Sequence, residues 1–73
     1  PDLILISAGF DSREGDILGN FRITDNGFSE LTEIAMDLAR THCSGKLVSV
    51  MEGGYNPEGL AMGVSAHIKT LLK

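Results

Sequence analysis

Leu3-Ile4-Leu5-Ile6, running into Ser7-Ala8-Gly9-Phe10-Asp11, is an unbroken aliphatic stretch that ends in small residues and an acid. It does not alternate apolar with polar, so it reads as a strand buried on both faces, as in a parallel sheet. A loop rich in glycine and charge follows, from Phe10 to about Ile23. Thr24-Asp25-Asn26 then offers caps for a helix, in which Leu31, Ile34, Ala35, Leu38 and Ala39 recur at helical spacing as one apolar stripe. Ser44-Gly45 ends that helix, with Gly45 suited to a left-handed position just past it. Lys46 to Met51 reads as a second strand, and Glu52-Gly53-Gly54-Tyr55 as the turn after it. Asn56 caps a final helix with Pro57 in its first position and Glu58 in its first turn, an order that suits both the orphan N–H groups and the helix dipole. Leu60, Ala61, Val64, Ile68, Leu71 and Leu72 supply its apolar stripe. The order strand, helix, strand, helix is one right-handed βαβ unit plus a closing helix.

Two parallel strands do not make a stable sheet by themselves, and this sequence offers no further strands or opposing layer. The missing partners are expected upstream of Pro1, and the start on Pro1-Asp2, straight into a strand, reads as a cut through a larger protein. Residues 1–73 are accordingly one part of a single domain. The composition, 42% hydrophobic and 22% charged, is that of an ordinary globular protein. No apolar run approaches the roughly 20 residues of a membrane helix, and no signal-peptide pattern opens the chain. A formal charge of −4 without any Lys/Arg cluster argues against direct nucleic-acid binding and suits a basic substrate. The single cysteine, Cys43, excludes a disulfide within the chain and fits a reducing, cytoplasmic setting.

Ligands of parallel α/β sheets bind at the carboxyl ends of the strands. Both unusual turns of this chain lie there, so topology alone places Asp11 and Tyr55 on one sheet edge, able to face one crevice. A carboxylate delivered by a rigid strand is a hard oxygen donor for a metal ion, or equally a cap for the following loop. The tandem glycines before Tyr55 allow close approach of a ligand or a positive φ, and a tyrosine so presented can donate to a developing oxyanion. The same residues also suit a tyrosine wedged against the sheet end by a simple Gly-Gly turn. Other catalytic signatures fail: there is no G-x-G-x-x-G, no P-loop lysine and no G-x-S-x-G elbow. His42 and His67 fall on helices and read as structural.

Taken together, Ser7-Ala8-Gly9-Phe10-Asp11 followed by Gly15-Asp16 and Leu18-Gly19, and Glu52-Gly53-Gly54-Tyr55-Asn56, resemble the S-A-G-F-D-x-x-x-G-D-x-L-G and E-G-G-Y-N segments of histone deacetylases of the class II and bacterial amidohydrolase types. The resemblance spans essentially the whole chain and implies the C-terminal part of a three-layer α/β/α domain of the arginase/deacetylase kind. It implies that Asp11 is one of three ligands of a catalytic Zn²⁺, and that the Tyr55 hydroxyl polarises the scissile amide. By the same resemblance, Gly53 and Gly54 line the pocket floor, Leu18 lies at the rim of the tube that admits the acyl-lysine, and Asp16 holds the loop. The implied substrate is an acetylated lysine peptide or an acetylated small amine. The family's histidine pair and D-x-H segment are not in these 73 residues, so this stretch alone is expected to be inactive.

Two further readings stay open on the sequence. One is an α/β binding module whose Gly-Gly turn and Asn56-capped helix hold an anion, against which Glu52 and Asp11 weigh by repulsion. The other is a non-catalytic interaction module that keeps the deacetylase fold.

Overall fold

The computed structural model describes all 73 residues, Pro1–Lys73. β1 (Ile4–Ala8) and β2 (Leu47–Met51) form a two-stranded parallel sheet in the register Ile4↔Leu47 through Ala8↔Met51. A short 3₁₀ turn, Phe10–Ser12, follows β1, α1 (Asp25–Cys43) joins the strands, and α2 (Pro57–Leu71) closes the chain. This is the βαβα order that the pattern of apolar runs and caps predicts.

The helix ends follow their local chemistry. The Thr24 hydroxyl accepts from the Gly27 N–H at 2.9 Å, satisfying one orphan donor of α1. The Asn56 side chain does the same for α2 through the Gly59 N–H at 3.2 Å. At the far end of α1 the chain reverses through two left-handed residues, Ser44 at φ 58° and Gly45 at φ 79°. The expected glycine is there, and the serine before it shares the turn.

Burial departs from the expectation for β1. Ile4, Ile6 and Ala8 face the helices, while Leu3, Leu5 and Ser7 are exposed; on β2, Val48 and Val50 are exposed too. The unbroken run therefore has one covered face and one open apolar face. Sheet and helices make two layers, and no element of this chain covers the second face.

The helices pack through only part of their apolar stripes, Ala39 in α1 and Leu60 and Val64 in α2, joined by residues outside them. In α1 the buried positions are Phe28, Thr32, Ala39 and Cys43, whereas Leu31, Ile34 and Leu38 are each about half exposed. In α2 they are Gly59, Gly63, His67 and Thr70, with Leu60 and Val64 partly buried and Ile68 and Leu72 outside. Small side chains along α2 let it ride close over Phe10. That ring is 3% exposed and sits 5.2 Å from Phe28 and 5.8 Å from the His67 ring, centroid to centroid. Two strands are only about 10 Å wide, so much of each helix overhangs them and its outer apolar residues stay at the surface.

His67 ties three elements together. Thr32 Oγ1 lies 2.6 Å from the Phe28 carbonyl and 2.8 Å from His67 Nδ1, and Ser49 Oγ lies 2.8 Å from His67 Nε2. The one hydroxyl proton of Thr32 goes to the carbonyl, so Thr32 accepts from a protonated Nδ1. Burial lowers the His67 pKa and favours the neutral imidazole, in which the bare Nε2 accepts from the Ser49 hydroxyl. The histidine is structural, as its place on the helix predicts, and a core polar bridge rather than a bystander of the stripe.

Candidate functional site

The sheet's hydrogen bonds run past the ends of both strands and set the site. Glu52 N donates to the Ala8 carbonyl at 3.0 Å, and Phe10 N donates to the Gly53 carbonyl at 2.9 Å. The turn after β1 and the turn after β2 are therefore laced side by side. Burial of Phe10 fixes the start of the 3₁₀ turn, and Asp11 follows at its outer edge, beside Gly53.

Asp11 and Tyr55 meet over that glycine. A β-carbon added to Gly53 would stand 3.2 Å from Asp11 Cγ, 3.3 Å from Asp11 Oδ1 and 3.2 Å from the Tyr55 hydroxyl. Absence of a side chain at Gly53 thus leaves one small space that a carboxylate and a phenol both border. Gly54, at φ 144°, turns the chain through a conformation that L side chains rarely adopt. Tyr55 itself is 46% exposed. The two residues expected to share a sheet edge are brought together.

Leu18 stands on the loop beside them and is 68% exposed. Asp11, Leu18, Gly19 and Phe21 line one shallow recess. Gly19 passes so close to Asp11 that a β-carbon there would clash with the Asp11 carbonyl oxygen. The loop is closed at its base by Ile23, whose N–H donates to the Ser12 carbonyl at 3.1 Å and whose carbonyl accepts from Glu14 N at 2.9 Å. Arg13 anchors it to α1 through a two-pronged contact with Asp25, Nε to Oδ1 at 2.7 Å and Nη2 to Oδ2 at 2.9 Å.

Asp16 is the polar centre of the assembly. Its Oδ2 accepts from the Leu18 and Gly19 N–H groups at 3.0 and 2.9 Å. Its Oδ1 accepts from the Tyr55 and Asn56 N–H groups at 2.8 and 3.3 Å. These bonds, led by those from Gly19 and Tyr55, hold its carboxyl below the usual carboxylate range. Asn56 adds a second tie, donating from its side chain to the Gly15 carbonyl at 3.0 Å. The loop half of this pattern, an aspartate accepting from N–H groups two and three residues on, is legible locally. Its reach to Tyr55 spans 39 residues and depends on the sheet register.

The same bonds bear on an anion-binding turn. The N–H groups of Tyr55 and Asn56 are already taken by Asp16, and that of Gly59 by Asn56. The turn's anion is an internal carboxylate.

For a metal ion, the chain supplies one suitable donor at the site. Asp11 presents a carboxylate at the space over Gly53 and Gly9, whose added β-carbon would lie 3.0 Å from Asp11 Oδ1. No group of three His, Cys, Asp or Glu side chains is placed to hold an ion. Asp11 fits the part of one ligand, and a complete metal site needs others from outside these residues. No helix is long and apolar enough to cross a membrane.

The family model for the histone deacetylase domain matches residues 1–71. Histone deacetylase 15 of Arabidopsis thaliana is 43% identical over 72 residues, which cover 99% of this chain and 12% of that protein. The polyamine deacetylase HDAC10 of Mus musculus is also 43% identical over 72 residues, 99% of this chain and 10% of the relative. Among solved structures, the histone deacetylase Clr3 matches with a TM-score of 0.88 at 36% identity, over 99% of this chain and 11% of that one. The HD domain of HDA15 matches with a TM-score of 0.87 at 43% identity, over 99% and 19%. The chain therefore spans only about a tenth of these curated relatives' length.

Proposed function

The chain belongs to the histone deacetylase family, and from that premise we propose that the complete protein is a zinc-dependent deacetylase hydrolysing the amide of N-acetyl-lysine or a related acylated amine. The convergence of Asp11 and Tyr55 on the space over Gly53 is the observation that carries this reading.

In it, Asp11 is one of the zinc ligands, and the other two, with the histidines that move protons, come from the rest of the domain upstream of Pro1. Neither histidine of this chain competes for those parts: His67 is committed to Thr32 and Ser49, and His42 lies at the exposed end of α1. Bound zinc polarises a carbonyl and lowers the pKa of water. Tyr55 donates its hydroxyl proton in a hydrogen bond to the substrate carbonyl oxygen, within about 2.6–3.2 Å in the productive complex. As water adds to the carbonyl carbon and gives a proton to the upstream histidines, negative charge gathers on that oxygen and the Tyr55 bond strengthens, which favours the transition state over the bound substrate. The C–N bond then breaks and the amine leaves with a proton from the upstream groups.

Gly53 and Gly54 form a floor without side chains, so the acyl group can sit against the backbone. Leu18, exposed on the loop above the recess, is the apolar rim that the substrate's methylene stem passes. The open apolar face of the sheet, with Leu3, Leu5, Val48 and Val50, packs against the remainder of the catalytic domain. A reducing, cytoplasmic setting goes with the unpaired, buried Cys43.

The test is zinc analysis of the complete protein with deacetylase assays on an acetyl-lysine peptide and an acetylated polyamine side by side. About one zinc per chain and turnover of at least one substrate are expected, and Asp11→Ala is expected to lose the metal. A metal-free protein inert on both substrates would leave a non-catalytic member of the family.

A further inference from the structure

We propose that Asp16 is a positioning residue for Tyr55, a single carboxylate that fixes the catalytic hydroxyl and the Leu18 rim relative to each other. This rests on the reading of Tyr55 as the oxyanion donor. Asp16 lies in the loop after β1 and spends both carboxylate oxygens on backbone N–H groups, so its effect passes through the backbone it holds. Each of its oxygens serves a different segment: Oδ2 takes the N–H groups of Leu18 and Gly19, and Oδ1 those of Tyr55 and Asn56. Four N–H donors on one anion make charge-assisted bonds, roughly twice as strong as neutral ones.

The turn needs such a clamp. Gly53 and Gly54 give the segment before Tyr55 wide conformational freedom, and Tyr55 is half exposed. The Asp16 bond to Tyr55 N, at 2.8 Å, is the polar contact that holds the tyrosine's own backbone to the loop. Leu18 is more exposed still and is held through its own N–H by the same carboxylate. One group thus couples the hydroxyl to the rim of the entry.

Asp16→Asn is the informative change because it keeps the shape and removes the symmetry. An amide offers one acceptor oxygen and one NH₂. Whichever way it turns, one pair of backbone N–H groups then faces another donor. Misplacing a reacting group by about 1 Å can cost on the order of 10²-fold in rate.

The experiment is a double-mutant cycle in the complete enzyme with Asp16→Asn, Tyr55→Phe and the pair, reading kcat, KM, zinc content and melting temperature. Asp16→Asn is expected to lower kcat about ten- to a hundred-fold with zinc retained and KM little changed. In the Tyr55→Phe background the same substitution should change kcat by less than about two-fold, because the hydroxyl it positions is gone. Equal losses in both backgrounds, or a near-normal kcat for Asp16→Asn, would overturn the positioning role while leaving the role of Tyr55 intact. Near-normal turnover by Tyr55→Phe alone would instead remove the reading on which the proposal stands. If Asp16→Asn does not fold, Asp16→Ser takes its place in the cycle. Loss of the fold in both would make Asp16 a general stabiliser and refute the proposal.

Discussion

The Asp11 carboxylate and the Tyr55 hydroxyl border the same point above Gly53, 3.3 and 3.2 Å from where a β-carbon would stand. They reach it from turns 44 residues apart because the parallel ladder continues beyond both strands, from Ala8 to Glu52 and from Phe10 to Gly53.

Gly53→Ala tests that geometry directly. The added methyl would press on both groups at distances tighter than ordinary contact, so each must give by a few tenths of an ångström. Loss of about ten-fold in kcat is expected in the complete enzyme, with stability changed by less than about 1 kcal/mol. An unchanged kcat would show that the two groups need not share that space.

Gly19→Ala is expected to act on the fold instead. Its β-carbon would clash with the backbone oxygen of Asp11, which no rotamer change relieves. Overpacking of this kind costs about 3 kcal/mol, read as a lower denaturation midpoint. A variant as stable as the parent protein would mean that the loop can lift from Asp11 without cost.

Much of this was legible in the sequence because it rests on local rules. The caps at Thr24 and Asn56, Pro57 at the head of α2 and the left-handed Gly45 all follow from a few adjacent residues. Parallel topology placed Asp11 and Tyr55 on one edge. What periodicity missed are features that depend on who lies opposite. The inner lines of the helices hold Gly59 against Arg13, Gly63 against Phe10, and Thr32 hydrogen-bonded to His67, because the opposing groups demand small or hydrogen-bonded partners there. A hydrophobic stripe cannot announce that. The resemblance implies that Asp16 holds the loop, and its bonds to Leu18 and Gly19 do so locally, whereas those to Tyr55 and Asn56 exist only once β1 and β2 are in register.

His67 gives the fold a pH dependence. Its folded pKa is lowered, so below the unfolded value near 6.5 the unfolded chain binds a proton that the folded one refuses. Its contribution is therefore fully present above about pH 6.5 and declines as the pH falls from there toward the folded value. Melting temperatures of the complete protein between about pH 8 and pH 5 should fall less steeply for His67→Gln, whose side chain does not titrate. Parallel curves for the two proteins would show that the bridge to Thr32 and Ser49 tolerates the charged ring.

The most direct test of the central claim is kcat of Tyr55→Phe in the complete enzyme, measured on protein whose zinc content and melting temperature match those of the unsubstituted form. Loss of one oxyanion donor should lower kcat by on the order of 10²–10³-fold. Turnover within a few-fold of the parent would contradict the role of Tyr55, whatever its place beside Asp11.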